Sequence, residues 1–177
     1  MTEIRTPRLI LRRWHDDDLV PMAEINADPD VMRWVDDGSV LDLDGTAEAI
    51  EQWEEEWDEE GFGLFAVELL ASGELAGFTG LSVPGHLPEV ASEVAVSWRF
   101  GSPFWGQGYA SEAAQATLEF ALQDRGLDRV ISVCRVGDEA SENVIRKLGM
   151  VPERVITHPV HGFALGVHAI DLTEYEA

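Results

Sequence analysis

The stretch "SPFWGQGYASEA", residues 102–113, decides how this chain is read. Gly106 and Gly108 flank Gln107, and a run of small residues from Ala110 onward then begins a helix. Before it comes "SEVAVSWRF", 92–100, where Val94, Val96 and Trp98 alternate with Glu93, Ala95 and Ser97, as a strand requires. A strand, a glycine loop and a helix entrance together aim backbone N–H groups at an anion. The first helical turn has four unpaired donors at the positive end of the helix dipole. Glycine removes the Cβ atoms that would hold a phosphate away. The plainer alternative is a glycine turn that simply joins strand to helix.

The dinucleotide fingerprint fits poorly and the Walker loop is excluded, which leaves a nucleotide-binding domain of another kind as an alternative. A dinucleotide fingerprint opens its domain and carries an acid about 20 residues on. Here the glycines lie past the middle of the chain, and the acid after the next strand, Asp138, is about 30 residues away. No G-K-[ST] follows the glycines, so the loop is not a Walker loop.

Outward from the loop, periodicity supplies the rest. "RLILRRW" (8–14) alternates like a half-buried strand, and Asp16 or Asp17 caps a following helix through Met22 and Ile25. "DLDGTAEAIEQWEEEWDEEG" (42–61) is helical: Ile50, Trp53 and Trp57 share one face, glutamates cover the other, and Gly61 ends it. "FGLFAVELL" and "LAGFTGLSV" flank the turn "ASGE" as a hairpin. After the helix that begins near Ala110 come a short apolar strand, "RVISVCRV" (129–136), the helix "DEASENVIRKLGM" (138–150) and a last pair of strands. Strands interleaved with helices predict an α/β mixed sheet with helices on its faces.

Composition narrows the function. The 177 residues, 45% hydrophobic and 26% charged, fit one globular domain, 1–177. No apolar run reaches the length of a membrane span, and the N-terminus lacks a signal-peptide pattern, so a cytoplasmic protein is expected. Twelve Lys+Arg against 34 Asp+Glu leave a net charge of -22, which disfavours nucleic acid and anionic membrane as partners. The acid is read either as solubility or as attraction for a cationic substrate. Cys134 is the only cysteine, and the five histidines (15, 86, 158, 161 and 168) form no metal motif, so no metal is expected.

"SWRFGSPFWGQGYASEA" together with "GLDRVISVCRVGDEASENVIRKLGM" resembles the GNAT superfamily of acetyl-CoA-dependent N-acetyltransferases, and within it the Rim-type branch of ribosomal-protein N-terminal acetyltransferases. The opening "TPRLILRRWHDDDLVPMAEI" is similar to that branch as well, so the resemblance spans nearly the whole chain. It implies a mostly antiparallel twisted sheet of six to seven strands, splayed between 92–100 and 129–136, with helices on both faces. It implies acetyl-CoA as cofactor, coenzyme A as product, and a homodimer. The pyrophosphate cradle maps to Trp105, Gly106, Gln107, Gly108, Tyr109, Ala110 and Ser111. Trp105 stands where the general pattern has a basic or amide side chain, so main-chain donors carry the contact. The pantetheine arm fills the splay beside Trp98, Arg99 and Phe100, pairing with main chain as an added strand would. Ser141 matches a family contact; Asp138 stands where Asn is common, and Asn143 is an alternative amide.

Amine acetylation needs a proton acceptor, an oxyanion donor and a proton for the leaving thiolate. A main-chain N–H near Trp98 is the expected oxyanion donor. Glu93 is the candidate base; it and Trp98 face opposite sides of a regular strand, and a bulge would bring them together. Ser141 and Tyr109 are the candidates for the thiolate. Trp34, Trp53, Trp57 and Phe65 are the expected walls of an acceptor pocket rimmed by Asp36, Asp37 and Glu54 to Glu56. The acceptor is read as a primary amine: a protein N-terminal α-amine, a polyamine or an amino-sugar. The alternative is a non-catalytic acyl-CoA-binding or sensing domain of the same fold.

Overall fold

The structure is a computed structural model that describes residues 3–175. Its strands are β1 (Ile4–Arg5), β2 (Leu9–Arg12), β3 (Leu64–Leu69), β4 (Leu75–Ser82), β5 (Ala95–Phe100), β6 (Arg129–Arg135), β7 (Val151–Thr157) and β8 (Ala164–Asp171). Its α-helices are α1 (Leu19–Asn26), α2 (Pro29–Met32), α3 (Leu43–Glu60), α4 (Tyr109–Gln123) and α5 (Glu139–Lys147). All eight strands join one sheet in the order β1-β2-β3-β4-β5-β6-β8-β7. The strand beyond the expected seven is β1, whose two residues are too short to show alternation in sequence. Every neighbouring pair is antiparallel except β5 and β6.

Helices cover both faces because the strands alternate. Thr79 meets Thr117 of α4 on one face, and its neighbour Phe78 packs with Met22, Ile25 and Met32 of α1 and α2 on the other. The α4 face carries the larger core, which includes Leu9, Leu11, Phe65, Leu81, Leu118 and Ile145. At 25 cal/mol per Å², each fully buried Leu or Phe of this kind contributes about 1.5–3 kcal/mol. Helix α3 is capped by Asp42, whose carboxylate accepts from Gly45 N at 2.8 Å. It spans the end of the sheet, so Trp57 enters the α4-side core while Trp53 packs against the α1 side.

The site is made by one failed pairing. β5 and β6 bridge at Ala95 and Ile131, where Ile131 N donates to Val94 O at 2.9 Å, and they make no further bridge toward Phe100 and Arg135. A parallel pair that starts together and then parts leaves a wedge whose walls carry unpaired backbone groups. The strand read over 92–100 is shorter than expected. Glu93 lies in a turn, its N–H donating to Val90 O at 3.0 Å, and β5 starts at Ala95. The register from Gly77–Phe100 to Ser82–Ala95 is unbroken, so the bulge that would align Glu93 with Trp98 is absent.

Candidate active site

The wedge opens into a cleft of about 1310 Å³, lined from α4, α5, β5 and β6 on one side and from α2, α3 and the end of β4 on the other. Drug-sized ligands fill pockets of about 300–1,000 Å³, so this cleft has room for two substrates.

One half is built by backbone. Gly106 and Gly108 hold φ of +75° and +81°, left-handed values that a side chain disfavours, and a Cβ at Gly106 would meet nothing within 4 Å. Gly108 is the N-cap of α4 and no side chain caps it. The N–H groups of Tyr109, Ala110 and Ser111 therefore face the cleft without a capping partner. Arg8 clamps the loop from outside: Nη1 donates to Gln107 O at 2.8 Å, Nε donates to Glu112 at 2.7 Å, and the guanidinium lies 4.4 Å from the Tyr109 ring centre. Trp105 braces it from inside, Nε1 donating to Phe100 O at 2.8 Å. The Gln107 side chain does not line the cleft; its amide turns back to Pro103 O at 3.5 Å.

Along β5 the ladder decides which donors are free. Gly101 N donates to Ala76 O, on the β4 side, whereas Val94 O accepts from β6. Strand alternation then turns the backbone groups of Val96, Trp98 and Phe100 toward the wedge. Trp98 N–H points where β6 has parted from β5.

Across the wedge, α5 is closed where α4 is open. Buried Asp138 caps it, accepting from Ser141 N at 3.3 Å. The side chain expected near the cofactor is thus spent on its own helix. Ser141 lines the cleft with no hydrogen bond from its hydroxyl to the described residues, and Asn143 is tied to Arg146 at 2.9 Å. Cys134 lines the cleft half-buried, and burial, helped by Asp138 and Glu142, pushes its thiol up to about 12.

The other half is built by side chains. Trp53 packs at a tilt against Trp14 and Phe78 with ring centres 5.1 and 5.0 Å away, and the Arg33 and Arg135 guanidinium groups lie 5.3 and 5.5 Å from the Trp34 ring centre. Two expected walls are corrected. Trp57 and Phe65 are buried in the α4-side core, with Trp57 Nε1 donating to Leu64 O at 2.9 Å; Phe62 lies in the same core. Trp53 and Trp57 are four positions apart, but the helix crosses the sheet's end, so only Trp53 reaches the cleft. Glu93 is also misplaced as a base. It does not line the cleft, and its carboxylate accepts from Arg129 at 3.0 Å.

Glu56, which in the sequence is one of the acidic rim Glu54 to Glu56 and not the candidate base, is the carboxylate placed in the cleft. It lines the cleft half-buried and accepts from Val83 N at 3.2 Å. Burial holds it above the ordinary carboxylate range against that bond, with Glu60 and Glu59 adding repulsion. Its sequence signal was its place three residues after Trp53 on one helical face.

At the mouth, Asp36, His158 and His161 hold potential metal-ligand atoms within 4.8 Å of one another. His158 Nδ1 accepts from Val160 N and His161 N at 3.2 and 3.1 Å, so the ring proton sits on Nε2 and points to Asp36 at 3.0 Å. That tautomer leaves no lone pair at Nε2 for a metal. The cluster instead joins the turn after α2 to the β7–β8 hairpin, with Asp36 in a left-handed conformation at φ 49°. Among the described residues, no helix is long and apolar enough to cross a membrane.

An uncapped helix entrance beside a splayed parallel pair is the arrangement of an acetyltransferase, and comparison with known proteins agrees. Residues 8–151 match the family model "Acetyltransferase (GNAT) domain", and the chain belongs to that family. It is 31% identical to YkkB, an uncharacterized Bacillus subtilis protein, over 84% of this chain and 85% of that one. It is 29% identical to the uncharacterized N-acetyltransferase YnaD of Bacillus subtilis, over 83% of this chain and 81% of that one. Among solved structures, a GNAT-family acetyltransferase from Bacillus anthracis is 26% identical and superposes with a TM-score of 0.81, covering 98% of this chain and all of that one (100%). RimL, a ribosomal L7/L12 alpha-N-protein acetyltransferase in complex with coenzyme A, shares the fold at 16% identity and a TM-score of 0.80, over 96% of this chain and 98% of that one. The chain is thus an acetyl-CoA-dependent acetyltransferase with the mixed, mostly antiparallel sheet of its family.

Proposed function

We propose that the chain, as one domain, transfers acetyl from acetyl-CoA to a primary amine by direct attack on the thioester. The observation that carries this is the single cleft joining free N–H groups at the α4 entrance to a half-buried carboxylate, Glu56. In this reading the Tyr109, Ala110 and Ser111 N–H groups hold the pyrophosphate, with Gly106 and Gly108 keeping the approach clear. The free edge of β5 pairs with the pantetheine amides, and Trp98 N–H donates to the thioester carbonyl oxygen as charge grows there.

Glu56 takes the proton from the amine nitrogen, directly or through one water. Its desolvated carboxylate is a stronger base than an exposed one and is better matched to neutral pH. The C–N bond forms, the C–S bond breaks, and the thiolate takes a proton from the Ser141 or Tyr109 hydroxyl, which regains one from water as Glu56 releases the amine's proton to solvent. Cys134 stays a protonated thiol, so no acyl group passes through it. The acceptor lies between Trp53, Trp34 and Glu56. A protein N-terminal α-amine, in the manner of the Rim-type neighbours, and a small amine both fit a pocket open at its mouth.

The test is a thermal shift with acetyl-CoA against NAD and ATP, followed by thiol release over a panel of amines. A ligand at 100 times its dissociation constant raises stability by about 2.7 kcal/mol. A rise with acetyl-CoA alone, and thiol release that requires an amine, are expected. Binding without transfer to any amine would instead identify an acyl-CoA sensor.

A further inference from the structure

Arg99 sits in β5 with its main chain paired to β4, opposite Phe78, and its side chain on the face turned away from α4. Its guanidinium lies 4.8 Å from the Phe78 ring centre, and Nη1 donates to Asn26 Oδ1 at 2.8 Å. Asn26 is itself buried and held by Thr46 at 3.1 Å, so the guanidinium plane is fixed before any ligand arrives. Nε is out of solvent with no partner, and Nη2 makes no hydrogen bond to the described residues. No carboxylate of the described residues pairs with it, and burial alone pushes its pKa down to about 10.

The lack of an acid matters because this guanidinium is set deep. Acids outnumber bases 34 to 12, and Arg8, Arg12, Arg13 and Arg129 each have a carboxylate within 3.4 Å. Arg33, Arg125, Arg135 and Arg146 also pair with no acid of the described residues, but among these residues Arg99 is the arginine with a nitrogen that is both unpartnered and out of solvent, and a desolvated cation without a counter-ion is costly. With Nη1 engaged and Nε closed to solvent, Nη2 is the donor left for a ligand, and a charge-assisted bond from it suits a carboxylate oxygen. Arg99 lines the acceptor half of the cleft, beside Trp53 and Phe78. The sheet separates its side chain from the α4 entrance where the pyrophosphate is placed.

We propose that Arg99 is an anion subsite of the acceptor half: it receives the carboxylate of an amino-acid-type acceptor whose amine lies toward Glu56. The inference rests on the acceptor binding in this half of the cleft. A phosphate would call for further cations beside Arg99; Arg33 and Arg135 line the cleft against Trp34 instead, and a phosphate ester is the competing arm of the test. The acceptor class is then an amine bearing a carboxylate, rather than a polyamine.

Product-like ligands test this without turnover. N-acetylglycine and N-acetyl-L-phenylalanine are titrated by calorimetry against their amides, with and without coenzyme A; the phosphate ester of N-acetylethanolamine is the phosphate arm. For the wild type, at least one acid should bind about tenfold or more tighter than its amide. Arg99→Met should abolish the difference while coenzyme A affinity is unchanged. Arg99→Lys, which keeps the charge but loses the planar group that can hold Asn26 and a ligand together, should retain only part of it and serves if the Met variant does not fold. Equal binding of acid and amide, binding of neither, or preference for the phosphate ester overturns the proposal. So does an equal loss of coenzyme A affinity in both variants, which would assign the guanidinium to the cofactor. Coenzyme A binding in the same titrations reports separately on the α4 entrance, so a failure there is distinguishable.

Discussion

The two halves of the cleft are made of different material. The α4 half is backbone: two left-handed glycines, uncapped N–H groups and a parted strand edge, with side chains such as Arg8 and Trp105 acting as braces. The α3 half is side chains: Trp53 and Glu56 from α3 and Arg99 from β5, each fixed by tertiary contacts. A backbone half suits a ligand that is always the same, because main-chain geometry changes little with substitution. A side-chain half suits a partner that differs between relatives.

Substitutions on either side should therefore separate turnover from cofactor affinity. The largest effect is expected from Glu56→Gln: kcat falls about 10²–10⁴-fold while the acetyl-CoA dissociation constant holds. Steady-state kinetics beside calorimetry checks this, and retained turnover would remove Glu56 from the chemistry.

The pH dependence carries a definite sign. Burial raises the folded pKa of Glu56 above its unfolded value, with Glu60 and Glu59 adding to it. Its contribution to stability is therefore present at low pH and lost as pH rises through the folded pKa. Glu56→Gln should melt higher than wild type at neutral pH, the gap closing on acidification. The acid limb of kcat should lie above the ordinary carboxylate range and vanish in the variant.

Gly108→Val comes next and strikes the other half. Forcing a branched residue to φ +81° costs at least about 1–2 kcal/mol, so acetyl-CoA binding should weaken about tenfold or more. Unchanged affinity in a folded variant would break the assignment of the α4 entrance.

Asp138→Ala asks whether the α5 entrance differs from the α4 entrance as described. Loss of the cap should cost about 1 kcal/mol, and roughly 2–4 °C in Tm for a chain of this size, with acetyl-CoA affinity not weakened. A large loss of affinity would return Asp138 to the cofactor site. The smallest effect belongs to Glu93→Gln, which breaks a half-exposed ion pair with Arg129. Turnover should stay at the wild-type level and stability should change by about 0.2–1 kcal/mol. A fall in kcat matching that of Glu56→Gln would reverse the roles of the two glutamates.

What could be read from residue order alone was whatever depends on neighbours in the chain. The glycine loop at 106–108, the helix over 42–61, the hairpin around 71–74 and the order of strands all follow from local dihedral preference and hydrophobic period. The splay of β5 from β6 came with the family resemblance. Tertiary structure decided the rest. Trp53 and Trp57 are equivalent by helical period, yet α3 crosses the sheet's end and sends one to the cleft and the other to the core. Glu93 and Glu56 are equivalent by chemistry, but Arg129 claims one and burial beside Val83 exposes the other to the cleft. Asp138 is consumed by its own helix, and Arg99 is left without an acid because its neighbours are Phe78 on β4 and Asn26 on α1. Local sequence sets backbone geometry through short-range sterics. Which side chains desolvate, pair or stay free is set by contacts between residues far apart in the chain, and those exist only once the sheet has closed.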